Sequence, residues 1–272
     1  MTYLSYYFSD NKKHLYRDNI SEEEYSKIQS SLKVLKESMN EIDYFLMLRE
    51  NVLDFLKDAE SNGVAIDNNF VRLNRHIMNW LNSFYAWVEY HERYCNDTFS
   101  TLKKKYYDDY FEYRFAYELR IYTTHKNLCI TSITFDVLNE KTIFKIKLDD
   151  ILENHKKIKS TVRHELIAMR EETEYIDAVD FVKKFFNVIS HFQDKLWKSL
   201  MPNIKSNFQY IQSFVPHTQG ITPDSYVISS DEQTYCSIGT SLNAYLDKWS
   251  KISISEEMLQ YIRSDKVGDS YD

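Results

Sequence analysis

The run FAYELRIYTTHKNLCITSI, Phe115–Ile133, changes rhythm in mid-course. Its first half spaces Phe115, Leu119 and Tyr122 at helical intervals. From Cys129 onward, β-branched residues alternate with polar ones, which suits a strand and resists a helical reading. A helix therefore ends near Asn127 and a strand begins within a few residues. Arg120 and His125 stand at that junction among threonines and tyrosines.

Working upstream, Phe70, Leu73, Ile77, Leu81, Phe84 and Val88 trace one stripe and predict a long helix from about Asp67 to about Thr101. The helix that closes on Asn127 should start near Tyr106, after the basic triplet Lys103 to Lys105. Ser21 with the acidic residues behind it predicts an N-cap for a first helical segment, one helix or two with a break near Asn40, reaching about Ala59, where the SNG run stops it. Downstream, CITSITFDVLN and KTIFKIKL predict a two-stranded hairpin, about 130–147, turning at Asn139-Glu140. From Asp149 the pattern is helical again up to Leu200, and Pro202 with SFVPHTQGITPDS marks a loop. SYVISS and TYCSIG predict short strands, followed by a short helix and a polar tail.

The fold class that follows is mainly α: an up-and-down helical bundle with a β-hairpin insertion and a small α+β appendage. The segments are an arm at 1–20, a helical domain at 21–200 and the appendage and tail at 201–272. Composition agrees. Only 4 Gly and 3 Pro occur in 272 residues, too few for a sheet protein rich in tight turns.

The net charge of -7 excludes a generally basic nucleic-acid binder, so any contact with RNA must be local. Cys95, Cys129 and Cys236 lie far apart with no CxxC spacing, which suits a reducing compartment and gives no metal site. The amino terminus lacks the apolar core of a signal peptide, and no run approaches the roughly 18 apolar residues of a membrane span. The expectation is a soluble, cytoplasmic protein with no membrane partner.

Several chemistries drop out. HELIA, from His164, has Ala168 where a zinc protease needs its second histidine. There is no P-loop, no GxGxxG and no GxSxG. Arg120 and His125 are left. On spacing alone they also fit an exposed helix end, where cations meet the C-terminal dipole. As chemistry, they suit cleavage of a phosphodiester. Histidine titrates near neutral pH and can move a proton, while arginine offers a permanent forked donor to phosphate oxygens.

The motif Arg120-Ile121-Tyr122-Thr123-Thr124-His125, with LNRHIMNWLNSFYAWVEYHERY at 73–94 before it and YRFAYELR leading in, resembles the HEPN superfamily of helical ribonucleases, in its stand-alone bacterial form. The resemblance implies a metal-independent endoribonuclease needing no cofactor, with Arg120 and His125 catalytic. It also implies a homodimer whose two motifs share one cleft, and a toxin or antiviral-defence role. A regulatory, antitoxin or sensor protein would then hold the activity in check. Arg114, Tyr122, Thr124 and Lys126 are the expected substrate contacts. The stretch from Thr101 to Lys126 carries six Lys or Arg against four Asp or Glu, so it is mildly positive within an acidic chain.

Two departures stand out. Ile121 occupies a position where the family commonly has a polar residue, and an aliphatic group cannot hydrogen-bond phosphate. Asn127 stands where members controlled through tyrosine modification carry the tyrosine. Five residues along an ideal helix turn about 500°, which leaves Arg120 and His125 about 140° apart. A second surface must complete the site, or the helix must be distorted. The alternative function is a non-catalytic helical module that binds a partner protein or a nucleotide.

Overall fold

A computed structural model describes residues 2–8, 13–61, 66–94, 96–136, 138, 141–213, 225–230 and 236–239. In chain order the elements are β1 (Thr2–Phe8), β2 (Lys13–Ile20), α1 (Glu22–Ser61), α2 (Ile66–Tyr94), α3 (Asn96–Asp109), α4 (Phe111–His125), β3 (Ser132–Asp136), β4 (Lys141–Lys147), α5 (Leu148–Asn154), α6 (Ser160–Glu172), β5 (Tyr175–Asp177), α7 (Ala178–Ser213), β6 (Ser225–Ser230) and β7 (Cys236–Gly239). The protein is mainly helical with a β-hairpin, as the sequence predicts. The turn at Asn139-Glu140, the loop at 214–224, the short helix expected after the last strands and the polar tail lie outside the described residues.

The described residues fall into two compact units. One takes the residues up to Ile42 and those from Lys198 onward. Its antiparallel sheet has the order β2-β1-β6-β7, so the amino-terminal arm and the carboxy-terminal appendage are joined through β1 and β6. At the start of α1, Ser21 and Glu24 form a reciprocal capping box. The Glu24 amide donates to Ser21 Oγ at 3.2 Å, and the Ser21 amide donates to Glu24 Oε2 at 2.9 Å. Pro202, read from the sequence as marking a loop, lies inside α7. Proline there forfeits one main-chain bond at a cost of about 3 kcal/mol. Buried Ile204, Phe208 and Ile211 beyond it offset that loss.

The second unit, Asp43 to Trp197, holds the core and the motif. Trp80, Phe84 and Trp87 of α2, Phe99 and Tyr106 of α3, Tyr113 of α4 and Phe185 of α7 are all fully buried. Phe84 meets Tyr113, Tyr117 and Phe185 edge to face at 5.3, 5.1 and 5.0 Å. Trp87 donates from Nε1 to Gln193 Oε1 at 2.9 Å, which satisfies the one polar atom of its ring in the interior.

The helix predicted over 67–101 is divided between α2, which ends at Tyr94, and α3, which starts at Asn96, and aromatic packing explains the division. His91 and Phe99 stack with centroids 5.0 Å apart. On one continuous helix, eight residues would separate them by about 12 Å along the axis. The chain must turn to fold Phe99 back. A second break falls at Tyr110, whose backbone is extended. Here Arg114 donates to the carbonyls of Tyr107 and Asp108 at 2.5 and 2.7 Å, capping the end of α3.

The helical stretch predicted from Asp149 is likewise divided into α5, α6 and α7. Between α6 and α7, β5 adds a third strand to the hairpin, in the order β3-β4-β5. Asp177 at its end accepts the Val179 amide at 3.0 Å and starts α7. Periodicity alone carried the helical reading through this short strand.

Phe84 is the test of the core. Phe84→Ala removes a ring in contact with both α4 and α7, and should lower stability by about 3–5 kcal/mol. Urea denaturation followed by circular dichroism measures this; a loss under 1 kcal/mol would mean that the cluster is not the core.

Candidate functional site

Helix α4 carries Arg120 and ends at His125. Its position is fixed from two sides. Phe84 and Tyr85 of α2 hold Tyr117 by ring contacts. Past the end of α4, the buried side chain of Asn74 clasps the chain again. Its Oδ1 accepts the Ile130 amide at 2.9 Å, and its Nδ2 donates to the Ile130 carbonyl at 3.0 Å. The carboxamide thus pairs with the main chain as a neighbouring strand would. The sequence signal was an Asn on the apolar side of α2, and its partner 56 residues away could not be read from it.

Arg120 is half-buried, with its guanidinium carbon 4.1 Å from the centre of the Tyr85 ring. Its Nε is sealed from solvent without a hydrogen-bond partner. Arg49, Arg72, Arg114 and Arg170 each pair with a carboxylate. Among the described residues no carboxylate pairs with Arg120. A guanidinium fixed against an aromatic ring, with donors to spare and no counter-ion, is suited to receive an anion.

His125 is exposed at the last position of α4. No hydrogen bond joins it to Arg120. Around the helix, Thr124 lies about 40°, Ile121 about 100° and His125 about 140° from Arg120. Thr124, Ile121 and His125 are all exposed, so the arc between the two motif ends is open surface. Ile121 is 37% exposed, so its apolar side chain is not part of the core. The Thr124 hydroxyl donates to the Arg120 carbonyl at 2.8 Å, which closes the last turn. Lys126 is exposed beside them.

Two expected substrate contacts are drawn inward instead. Arg114 is buried, bonded to Glu165 of α6 as well as to the two α3 carbonyls, so it splices three helices and is not a surface donor. Tyr122 is buried, and burial raises its phenol above the usual tyrosine range, with nearby Asp150 adding to the effect. It packs beside the ring of His155. Of the lysine triplet, Lys103 pairs with Glu92 and lies over Tyr117, while Lys104 and Lys105 are exposed.

Sequence reasoning missed a second polar pair on α4. Glu118 and His155, each about 3% exposed, meet at 2.8 Å between Oε2 and Nε2. Both lie inside the protein, where they tie α4 to the end of α5. Cys129 is buried and free, and burial pushes its thiol far up, so it is no nucleophile. Among the described residues no three His, Cys, Asp or Glu side chains are grouped to hold a metal ion, and no helix is long and apolar enough to cross a membrane.

Arg114→Met separates the two roles considered for that residue. It leaves Glu165 and two carbonyls unpaired, so thermal or urea unfolding should report a loss of about 2–3 kcal/mol. Unchanged stability would return Arg114 to the list of surface contacts. No protein-family profile, no curated protein and no solved structure matches this chain.

Proposed function

We propose that this chain is a metal-independent endoribonuclease of HEPN type, acting as a homodimer. The observation that carries the reading is Arg120: a cation held on Tyr85, without a carboxylate partner among the described residues, on the same open arc of α4 as an exposed histidine five residues on.

The chemistry assigns each group a task. The 2'-hydroxyl of RNA attacks the adjacent phosphorus, the bond from phosphorus to O5' breaks, and a 2',3'-cyclic phosphate and a 5'-hydroxyl end result. One proton leaves the 2'-oxygen and one arrives at O5'. An imidazole near its pKa performs either transfer, and a twofold pair supplies one His125 for each. Arg120 neutralises charge on the non-bridging oxygens. Thr124 and Lys126, exposed on the same end of the helix, are the remaining contacts to substrate. The roles in growth arrest or antiviral defence, and a protein that restrains the activity, belong to this same proposal and rest on the family resemblance.

A second reading, a non-catalytic module that binds a partner protein or a nucleotide, is favoured by Ile121, an exposed aliphatic residue in the middle of the motif. Incubation with total RNA in EDTA decides between them. Fragments with cyclic-phosphate ends support the nuclease; intact RNA with a stable hetero-complex supports the module.

Arg120→Ala and His125→Ala should each reduce cleavage at least a hundredfold, on the scale of a lost acid–base or charge-stabilising group, with circular dichroism unchanged. If either variant instead unfolds at lower temperature while the remaining folded fraction cuts normally, that residue is structural.

Ile121→Asn should cost under about 1 kcal/mol, as exposed substitutions do, and should hold or raise the cleavage rate by adding a donor beside the phosphate. A fall in rate at unchanged stability would mean that the site uses Ile121 as an apolar contact.

A further inference from the structure

Two of the longer carboxylate-free stretches of this acidic chain bear on the site. No Asp or Glu occurs from Phe70 to Val88, or from Arg120 to Phe135. They are far apart in sequence, and the fold puts them side by side. The first is the middle of α2, and the second is the end of α4 with the segment after it. Tyr85 beneath Arg120 and Asn74 on the Ile130 main chain fix their register.

The cations on the two stretches have different fates. Arg72 and His76 turn toward α1, and both meet Asp58 at 2.8 Å. Arg75 does not. It is exposed, with Asn79 and Asn82 exposed along the same side of α2, and no described carboxylate pairs with it. From Arg75 to Tyr85 the helix rises about 15 Å. Arg75 and Arg120 therefore bracket a surface of that length, carrying uncharged donors between two unpaired guanidinium groups. The first carboxylate on this side of α2 is Glu89, beyond Tyr85.

We infer that this carboxylate-free face of α2 and α4 is where an RNA backbone lies, with Arg75 taking a phosphate upstream or downstream of the one at Arg120. The inference takes RNA as the ligand from the nuclease reading and adds the surface, of which Arg75 is the distal anchor. The direction is specific: the strand crosses toward the amino-terminal half of α2, away from Lys103, whose charge is already met by Glu92.

Binding without cleavage tests it. The full-length His125→Ala chain is titrated against a fluorescent 2'-O-methyl RNA 12-mer, which has no attacking hydroxyl, and anisotropy is read at several salt concentrations. Arg75→Gln should weaken binding three- to tenfold and reduce the slope of log affinity on log salt by about one. Arg75→Lys should restore most of that slope, and Lys184→Gln, exposed on α7, should change neither.

Equal behaviour of the Arg75→Gln and Lys184→Gln chains would overturn the inference. So would competition by a mononucleotide as strong as by the 12-mer at equal phosphate, which would mark a simple anion trap. Arg75-dependent binding to phosphatidylserine vesicles with no RNA binding would overturn it too, in favour of a lipid surface. The two readings fail separately. A chain that binds through Arg75 yet never cuts keeps this face and loses the nuclease, while one that cuts RNA equally well with Arg75→Gln keeps the nuclease and loses the face.

Discussion

The packing of α2 along α4 is the constraint on which the candidate site depends. Two different interactions set it. Phe84 buries its ring among Tyr113, Tyr117 and Phe185, which fixes the distance between the helices. Asn74 then grips the main chain of Ile130, which fixes how far α4 extends and where the strand after it starts. A ring cluster is tolerant of small slips, because dispersion is non-directional. A bidentate amide is not: a slip of one residue would leave buried donors and acceptors unpaired. The apolar contact supplies most of the stabilisation and the amide supplies the register. Arg120 lands on Tyr85 because both are in place.

The same helix shows how position decides what an arginine is for. Arg114 and Arg120 are six residues apart on α4. Arg114 enters the interior, where an unpaired charge would be prohibitive, and it is met by Glu165 and two carbonyls. Arg120 sits half-exposed over a ring that attracts it without neutralising it. One is a structural splice between helices, and the other has no carboxylate partner among the described residues.

The class of the fold was legible from the shortage of Gly and Pro and from the apolar stripes, and the hairpin from alternation after Cys129. Where the sequence misled, side-chain packing and capping had overridden the helical pattern. The division between α2 and α3 follows from Phe99 stacking on His91, and the break at Tyr110 from Arg114 capping α3. Pro202 stays inside a helix because buried residues follow it. At the site, the pair Arg120 and His125 could be picked out from the motif, but its surroundings could not. Spacing does not say that Tyr122 and Arg114 turn inward, that Tyr85 lies under Arg120, or that α2 brings a second carboxylate-free stretch alongside.

What the open arc of α4 demands can be put in distances. With side chains, a helix is about 10–12 Å across, and positions about 140° apart are separated by roughly 10 Å around it, with about 7.5 Å more along the axis for five residues. Acid–base transfer needs heavy atoms within about 2.6–3.2 Å of the proton they move. A single phosphodiester cannot meet both Arg120 and His125 of one regular helix at such range. The residues between them, Thr124 and Ile121, are exposed and do not draw the two ends together. If RNA is cut here, each chain therefore contributes only half of the chemistry to any one phosphate. In the proposed homodimer, a second motif facing the arc across a twofold axis would supply the other half, since an isologous contact would bring each Arg120 toward the opposite His125 by symmetry.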